Sequence, residues 1–108
     1  MSDFDRLHPA LQYHVVNSLG WNSLRSTQLE AIEPIISGAH ALLLAPTAGG
    51  KTEAAVLPVL SSMLESDWRG LSVVYLCPIK ALLNNLEPRI SHYAGLIGRR
   101  VGVWHGDI

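Results

Sequence analysis

Apolar positions along the chain come in two patterns, and the two alternate. Between His8 and Leu19 the apolar residues Leu11, Val15, Val16 and Leu19 recur at helical spacing, and Gly20 stands where such a helix would end. A second helix is predicted from Ser26 or Thr27, with Thr27 and Glu30 forming a Thr-x-x-Glu capping box. It should run through Ala31 and Ile32 to about Ile36, bend at Pro34 and stop at Gly38. A third spans Lys51 to about Glu65, where Ala54, Ala55, Leu57, Val59, Leu60, Met63 and Leu64 give an extensively apolar surface and Pro58 predicts a kink. A fourth covers Ala81 to about Tyr93, interrupted by Pro88 and followed by a turn at Gly95 to Gly98. The other pattern is the short run: Ala41 to Leu44, Leu71 to Cys77 and Arg100 to Trp104 read as strands. Trp21 to Arg25 and Asp67 to Gly70 read as loops, and polar Met1 to Arg6 as a frayed end.

Helices alternating with strands predict an α/β fold, a parallel sheet with flanking helices joined by right-handed crossovers. The unbroken apolar character of Leu71 to Cys77 suits burial on both faces of such a sheet. Ligands then bind at the carboxyl ends of the strands. The loop ending in Thr52, Lys80, and His105 to Asp107 each directly follow a strand, so all three would line one edge.

Composition narrows this picture. With 108 residues, 48% of them hydrophobic, there is room for one small domain with an ample core. Eight Lys plus Arg against nine Asp plus Glu leave a net charge of −1, so any nucleic-acid contact must be local and not the work of an overall basic field. The pair Arg99 and Arg100 reads as solvated charge beside the third strand. Cys77 is the sole cysteine, which excludes an internal disulfide and any multi-cysteine zinc site, and its apolar neighbours predict a buried, unreactive thiol. His8 and His14 have no Cys or carboxylate partners at metal spacing. No apolar run approaches the roughly 20 residues that span a bilayer, so no membrane partner is expected, and a reducing, cytoplasmic setting fits.

The chemistry concentrates in His40 to Thr52, HALLLAPTAGGKT. Gly49 and Gly50 lack a Cβ, so the backbone there can curl with its N–H groups inward and let a polyphosphate approach. Lys51 supplies a point charge for the terminal phosphates, and the Thr52 hydroxyl can ligate a magnesium ion held on them. The following helix aims the positive end of its dipole at the same anion.

Three motifs in order resemble those of the superfamily 2 nucleic-acid helicases of the DEAD/DEAH-box and large helicase-related kind. ALLLAPTAGGKTEAA resembles motif I, A-x-x-G-x-G-K-T, with Ala48 standing where the pattern has Gly. The stretch from Gly20 and Trp21 to Gln28 resembles the Q motif, whose glutamine reads adenine through a donor and acceptor pair, with Ser26 in place of the usual Pro. Cys77, Pro78, Ile79, Lys80, Ala81 and Leu82 resemble motif Ia, which contacts the backbone of a single strand, and His105, Gly106 and Asp107 resemble an H-G-D stretch thought to lie beside that strand.

The resemblance implies a partial RecA-like ATP-binding domain over residues 1–108, the first portion of the first motor domain of an ATP-dependent helicase. Thr47, Ala48, Gly49, Gly50, Lys51 and Thr52 would hold ATP and Mg2+ together with Gln28, with Lys51 the catalytic cation and Thr52 the metal ligand. Pro78, Lys80, His105, Gly106 and Asp107 would touch a DNA or RNA strand, and the remainder of the helicase chain would be the other partner. Motif II, D-E-x-H or D-E-x-D, does not occur in the sequence, so this chain by itself is expected to hydrolyse almost nothing. Two other classes remain open at this point: a non-catalytic nucleotide- or partner-binding module, and a small P-loop phosphotransferase.

Overall fold

Regular structure is helical throughout the residues that the computed structural model describes, 3–44, 50–77 and 79–103, the side chain of Lys80 excepted. The chain divides into two units, Met1–Trp68 and Arg69–Ile108.

The first unit opens with a 3-10 turn, Asp3–Arg6, and helix α1, Pro9–Tyr13. Pro9 suits the start of a helix, where its missing N–H removes no ladder bond. His8 caps the helix with its ring, Nδ1 accepting the Ala10 N–H at 3.0 Å. The apolar face then continues into a π-helical turn, His14–Ser18, so the single helix predicted to Leu19 is two kinds of turn. Polar side chains brace the wider turn: the His14 ring meets the Ser18 hydroxyl at 2.8 Å, and Asn17 Nδ2 donates to the Tyr13 carbonyl at 3.0 Å. Leu11 and Val15 are buried, Val16 is exposed, and Gly20 ends the segment at φ +71°. Residues 3–6 are not frayed: they form the 3-10 turn, Leu7 behind them is buried, and the Arg6 guanidinium pairs with the Glu33 carboxylate on the next helix.

Helix α2 spans Ser26–Ile36. Its capping box lies two residues earlier than the predicted Thr27 and Glu30, with Gln28 Oε1 accepting the Arg25 N–H at 2.9 Å. The reason is that Arg25 is the extended residue before the first turn, which makes Gln28 and not Glu30 the side chain that reaches back. The helix runs through Pro34 and closes with a Schellman motif: Ala39 and Gly38 N–H donate to the Pro34 and Ile35 carbonyls, both at 3.0 Å, with Gly38 at φ +84°.

Helix α3, Lys51–Glu65, passes unbroken through Pro58, which is itself fully buried. Ala54, Leu57, Leu60 and Met63 are buried as predicted, while Val56 and Pro58, not Ala55 and Val59, complete the covered surface. Helix α2 packs along α3, the 3-10 turn packs on α2, and α1 touches α3. One polar link joins these layers: the fully buried Ser61 hydroxyl accepts the His8 backbone N–H at 2.8 Å. Asp67, at φ +50°, ends the helix in a left-handed conformation, and the Trp68 N–H donates to the Met63 carbonyl at 3.2 Å.

The second unit is built on helix α4, Lys80–Leu96, which passes through Pro88 and extends beyond the predicted end at Tyr93. Leu86, Tyr93 and Ala94 are buried on it. It too closes with a Schellman motif, the Arg99 N–H donating to the Ala94 carbonyl at 2.9 Å with Gly98 at φ +76°. Arg99 is not free solvated charge: its Nη2 donates to the Gly70 carbonyl and the Ser72 hydroxyl, each at 2.8 Å, and fastens the two ends of the unit together.

The predicted parallel sheet is not formed. Among the described residues there is no strand: 41–44, 72–77 and 100–103 are irregular, and Trp104 lies outside them. Leu42 and Leu44 are 82% and 80% exposed, and Leu71 and Leu76 are 88% and 86% exposed. An apolar run becomes a strand only when a neighbour supplies its N–H and C=O partners and a layer covers its face, and these runs have neither ladder nor cover. Cys77 is half-buried for the same reason, its thiol 3.5 Å from the Ile79 carbonyl.

These burials set the response to mutation. Ile32→Ala should lower unfolding free energy by about 2–5 kcal/mol in a urea melt followed by far-UV circular dichroism, whereas Leu44→Ala should change it by less than about 0.5 kcal/mol. Ser61→Ala, which leaves the His8 N–H without its acceptor, should cost about 1–3 kcal/mol in the same measurement.

Candidate functional site

The starts of α2 and α3 meet around one glycine. Gly50 precedes α3 at φ +74°, ψ +35°, a left-handed conformation that glycine adopts without a Cβ penalty. Its carbonyl accepts the Ala54 N–H at 2.9 Å, the first bond of the helix. Gln28, only 6% exposed, holds the Arg25 N–H on Oε1 and places Nε2 3.5 Å from the same Gly50 carbonyl. The left-handed backbone favours glycine here, and a Cβ, 2.5 Å from Gln28 Nε2, would make the end of that side chain shift.

The amides of the first turn of a helix have no acceptor within the helix itself. Lys51, the first residue of α3, is exposed, and Thr52 is half-buried beside it. A helix start of this length carries a partial positive charge, and a lysine adds a full one, so the arrangement favours a polyanion. Glu53 in the same turn is buried, which the sequence reading did not single out; an acid in the first helical turn was the available signal. Arg25 was missed as well, although its Cδ lies 3.7 Å from where the Gly50 Cβ would be. Arg25-x-x-Gln28, read as a cap with its N3 partner, would have found it.

Of the residues assigned to nucleotide, the structure brings together Gln28 and Gly50 and sets Lys51 and Thr52 directly after them; Thr47, Ala48 and Gly49 lie outside the described residues. Of those assigned to nucleic acid, Lys80 is the first residue of α4 in the second unit, behind an extended and exposed Ile79. Pro78, His105, Gly106 and Asp107 lie outside the described residues.

Comparison with known proteins finds relatives over most of the chain. The chain is 33% identical over 92 residues to the probable ATP-dependent RNA helicase DDX47 of Homo sapiens, covering 85% of this chain and 20% of that protein. It is 33% identical over 89 residues to the DEAD-box ATP-dependent RNA helicase 17 of Oryza sativa subsp. japonica, covering 82% of this chain and 12% of that one. It is 36% identical over 84 residues to the probable ATP-dependent RNA helicase ddx27 of Dictyostelium discoideum, covering 73% and 10%. The chain thus spans a fifth or less of the length of these relatives. No solved structure matches it. The DEAD/DEAH box helicase family matches from residue 25 to residue 107, most of the chain and the whole of the Gln28 to Thr52 arrangement, and the chain belongs to that family.

Proposed function

We propose that this chain is the ATP-binding portion of an ATP-dependent RNA helicase, holding nucleotide phosphates at the start of α3 and a single RNA strand beside Lys80. The observation that carries the reading is the start of α3: a left-handed Gly50 leads directly into a 15-residue helix that opens with Lys51 and Thr52. The residues present fit the group. Lys51 would neutralise charge on the terminal phosphates, the amides of the first turn of α3 would face them, and Thr52 would hold Mg2+, with Thr47, Ala48 and Gly49 completing the loop. Bound Mg2+ supplies charge neutralisation on the phosphate oxygens.

Gln28 would read adenine. Its amide has two donors and two acceptor sites, and Arg25 and Gly50 occupy one of each. A base edge would pair with an N–H and a lone pair of the amide beyond these two contacts. The reading of the strand as RNA is supported by the relatives described above, which are named as RNA helicases. Lys80 would contact its phosphates, a contact that positions the strand without reading its sequence, and Pro78, His105, Gly106 and Asp107 would lie along it.

The division of labour is testable on the 108-residue chain. ATP binding measured by calorimetry should weaken at least tenfold in Lys51→Ala, the loss of charge-assisted hydrogen bonds of about 1.5–3 kcal/mol. ATP hydrolysis by the unmodified chain that disappears in Lys51→Ala would overturn the view that this portion binds without turnover. Lys80→Ala should weaken single-stranded RNA binding by a similar factor for every sequence and reduce the slope of log affinity against log salt by about 0.7.

A further inference from the structure

Ser72 has two arginines at hand, one by spacing and one by contact. Arg69 stands three positions before it, and no other serine or threonine of the chain has a lysine or arginine at that spacing. Arg99 comes from the far end of the second unit, its Nη2 donating to the Ser72 Oγ and to the Gly70 carbonyl, each at 2.8 Å. We propose that Ser72 is a phosphorylation site for a serine/threonine protein kinase that selects an arginine three residues before the acceptor, and that Arg99 holds the phosphate once it is attached. The inference goes beyond the nucleotide reading and does not depend on it.

The acceptor role stands on the segment around Ser72. Phosphoryl transfer needs the hydroxyl in line with the γ-phosphate inside a kinase cleft, so the residues on either side of it must be able to enter that cleft. Residues 69–77 are in no helix or strand, and Arg69, Leu71, Val73 and Val74 are all exposed. The guanidinium of Arg69 is a planar fork that matches carboxylates on a kinase surface. In the step itself Ser72 Oγ attacks the γ-phosphorus of ATP held by the kinase. The Oγ–P bond forms as the bond to the β–γ bridging oxygen breaks, ADP leaves, and the hydroxyl proton passes to a carboxylate of the kinase.

The holding role stands on Arg99. At present its Nη2 meets a neutral hydroxyl, which itself donates to the Gly70 carbonyl at 3.2 Å. A phosphate on that oxygen brings about −1.5 to −2 charge and three acceptor oxygens to the guanidinium. Such charge-assisted bonds are roughly twice as strong as neutral ones. The Gly70 carbonyl loses the hydroxyl donor and keeps Arg99. Because the Arg99 backbone N–H also closes α4 on the Ala94 carbonyl at 2.9 Å, the modification tightens the link between the first residues of the unit and the end of its helix.

The 108-residue chain, incubated with ATP and the catalytic subunit of cyclic-AMP-dependent protein kinase, an arginine-directed enzyme, should gain the mass of one phosphoryl group, located on Ser72 by tandem mass spectrometry. Ser72→Ala should gain none, and Arg69→Ala should be modified at least about tenfold more slowly, the loss of one charge-assisted contact. A chain left unmodified, a phosphate on another residue, or an undiminished rate in Arg69→Ala overturns the site. Amide hydrogen exchange followed by NMR tests the holding role. The Arg99 N–H should exchange at least about threefold more slowly after phosphorylation, and Arg99→Gln, which keeps that N–H, should show no such slowing. An unchanged rate at Arg99, or equal slowing in Arg99→Gln, overturns the role given to the guanidinium.

Discussion

The first unit depends on α2 lying along α3. Ala31 and Ile32 are buried on one helix and Ala54, Leu57, Leu60 and Met63 on the other, and each large aliphatic side chain so buried is worth about 1.5–3 kcal/mol. The Arg6 and Glu33 pair, half-exposed at the surface, contributes about 0–1 kcal/mol by comparison. Apolar burial therefore sets where the helices lie, and the polar links adjust the details. The same packing brings the first turn of α2 to the first turn of α3, which is why Gln28 reaches Gly50 across 22 positions of sequence.

What the sequence revealed, and what it hid, follows the range of the interactions involved. Helices α2 and α3 were legible because their bonds are local: Gly38 closes one, and Lys51 to Glu65 carries its apolar face in its own spacing. The sheet was not legible in the same way. Leu71 to Leu76 has strand-like composition, but a ladder needs partners from elsewhere in the chain, and composition alone does not supply them. Of the prolines only Pro88 misled, since α4 passes through it without the expected interruption, while Pro34 and Pro58 sit inside helices that were expected to continue past them. For Pro58 the compensation is burial of the ring itself.

The candidate site shows the same division. Gln28, Gly50, Lys51 and Thr52 were found from motif order, and the geometry gives Gly50 a reason beyond the motif, since its left-handed φ favours glycine. The internal work of Gln28 was hidden because it depends on which residue is the cap. With the cap placed at Thr27, Gln28 is an ordinary first-turn residue. With the cap at Arg25 it becomes the side chain that closes the box.

The exposed run Leu71 to Leu76 has a colloidal consequence. Six consecutive residues with no charge, no proline and no glycine, three of them β-branched or aromatic, have the composition from which intermolecular cross-β stacking grows. Their brakes are at the margins: Arg69 and Gly70 before the run, Pro78 and Lys80 after it. The working concentration of the isolated polypeptide is therefore governed less by its net charge of −1, which repels weakly, than by how well these few flanking residues interrupt stacking.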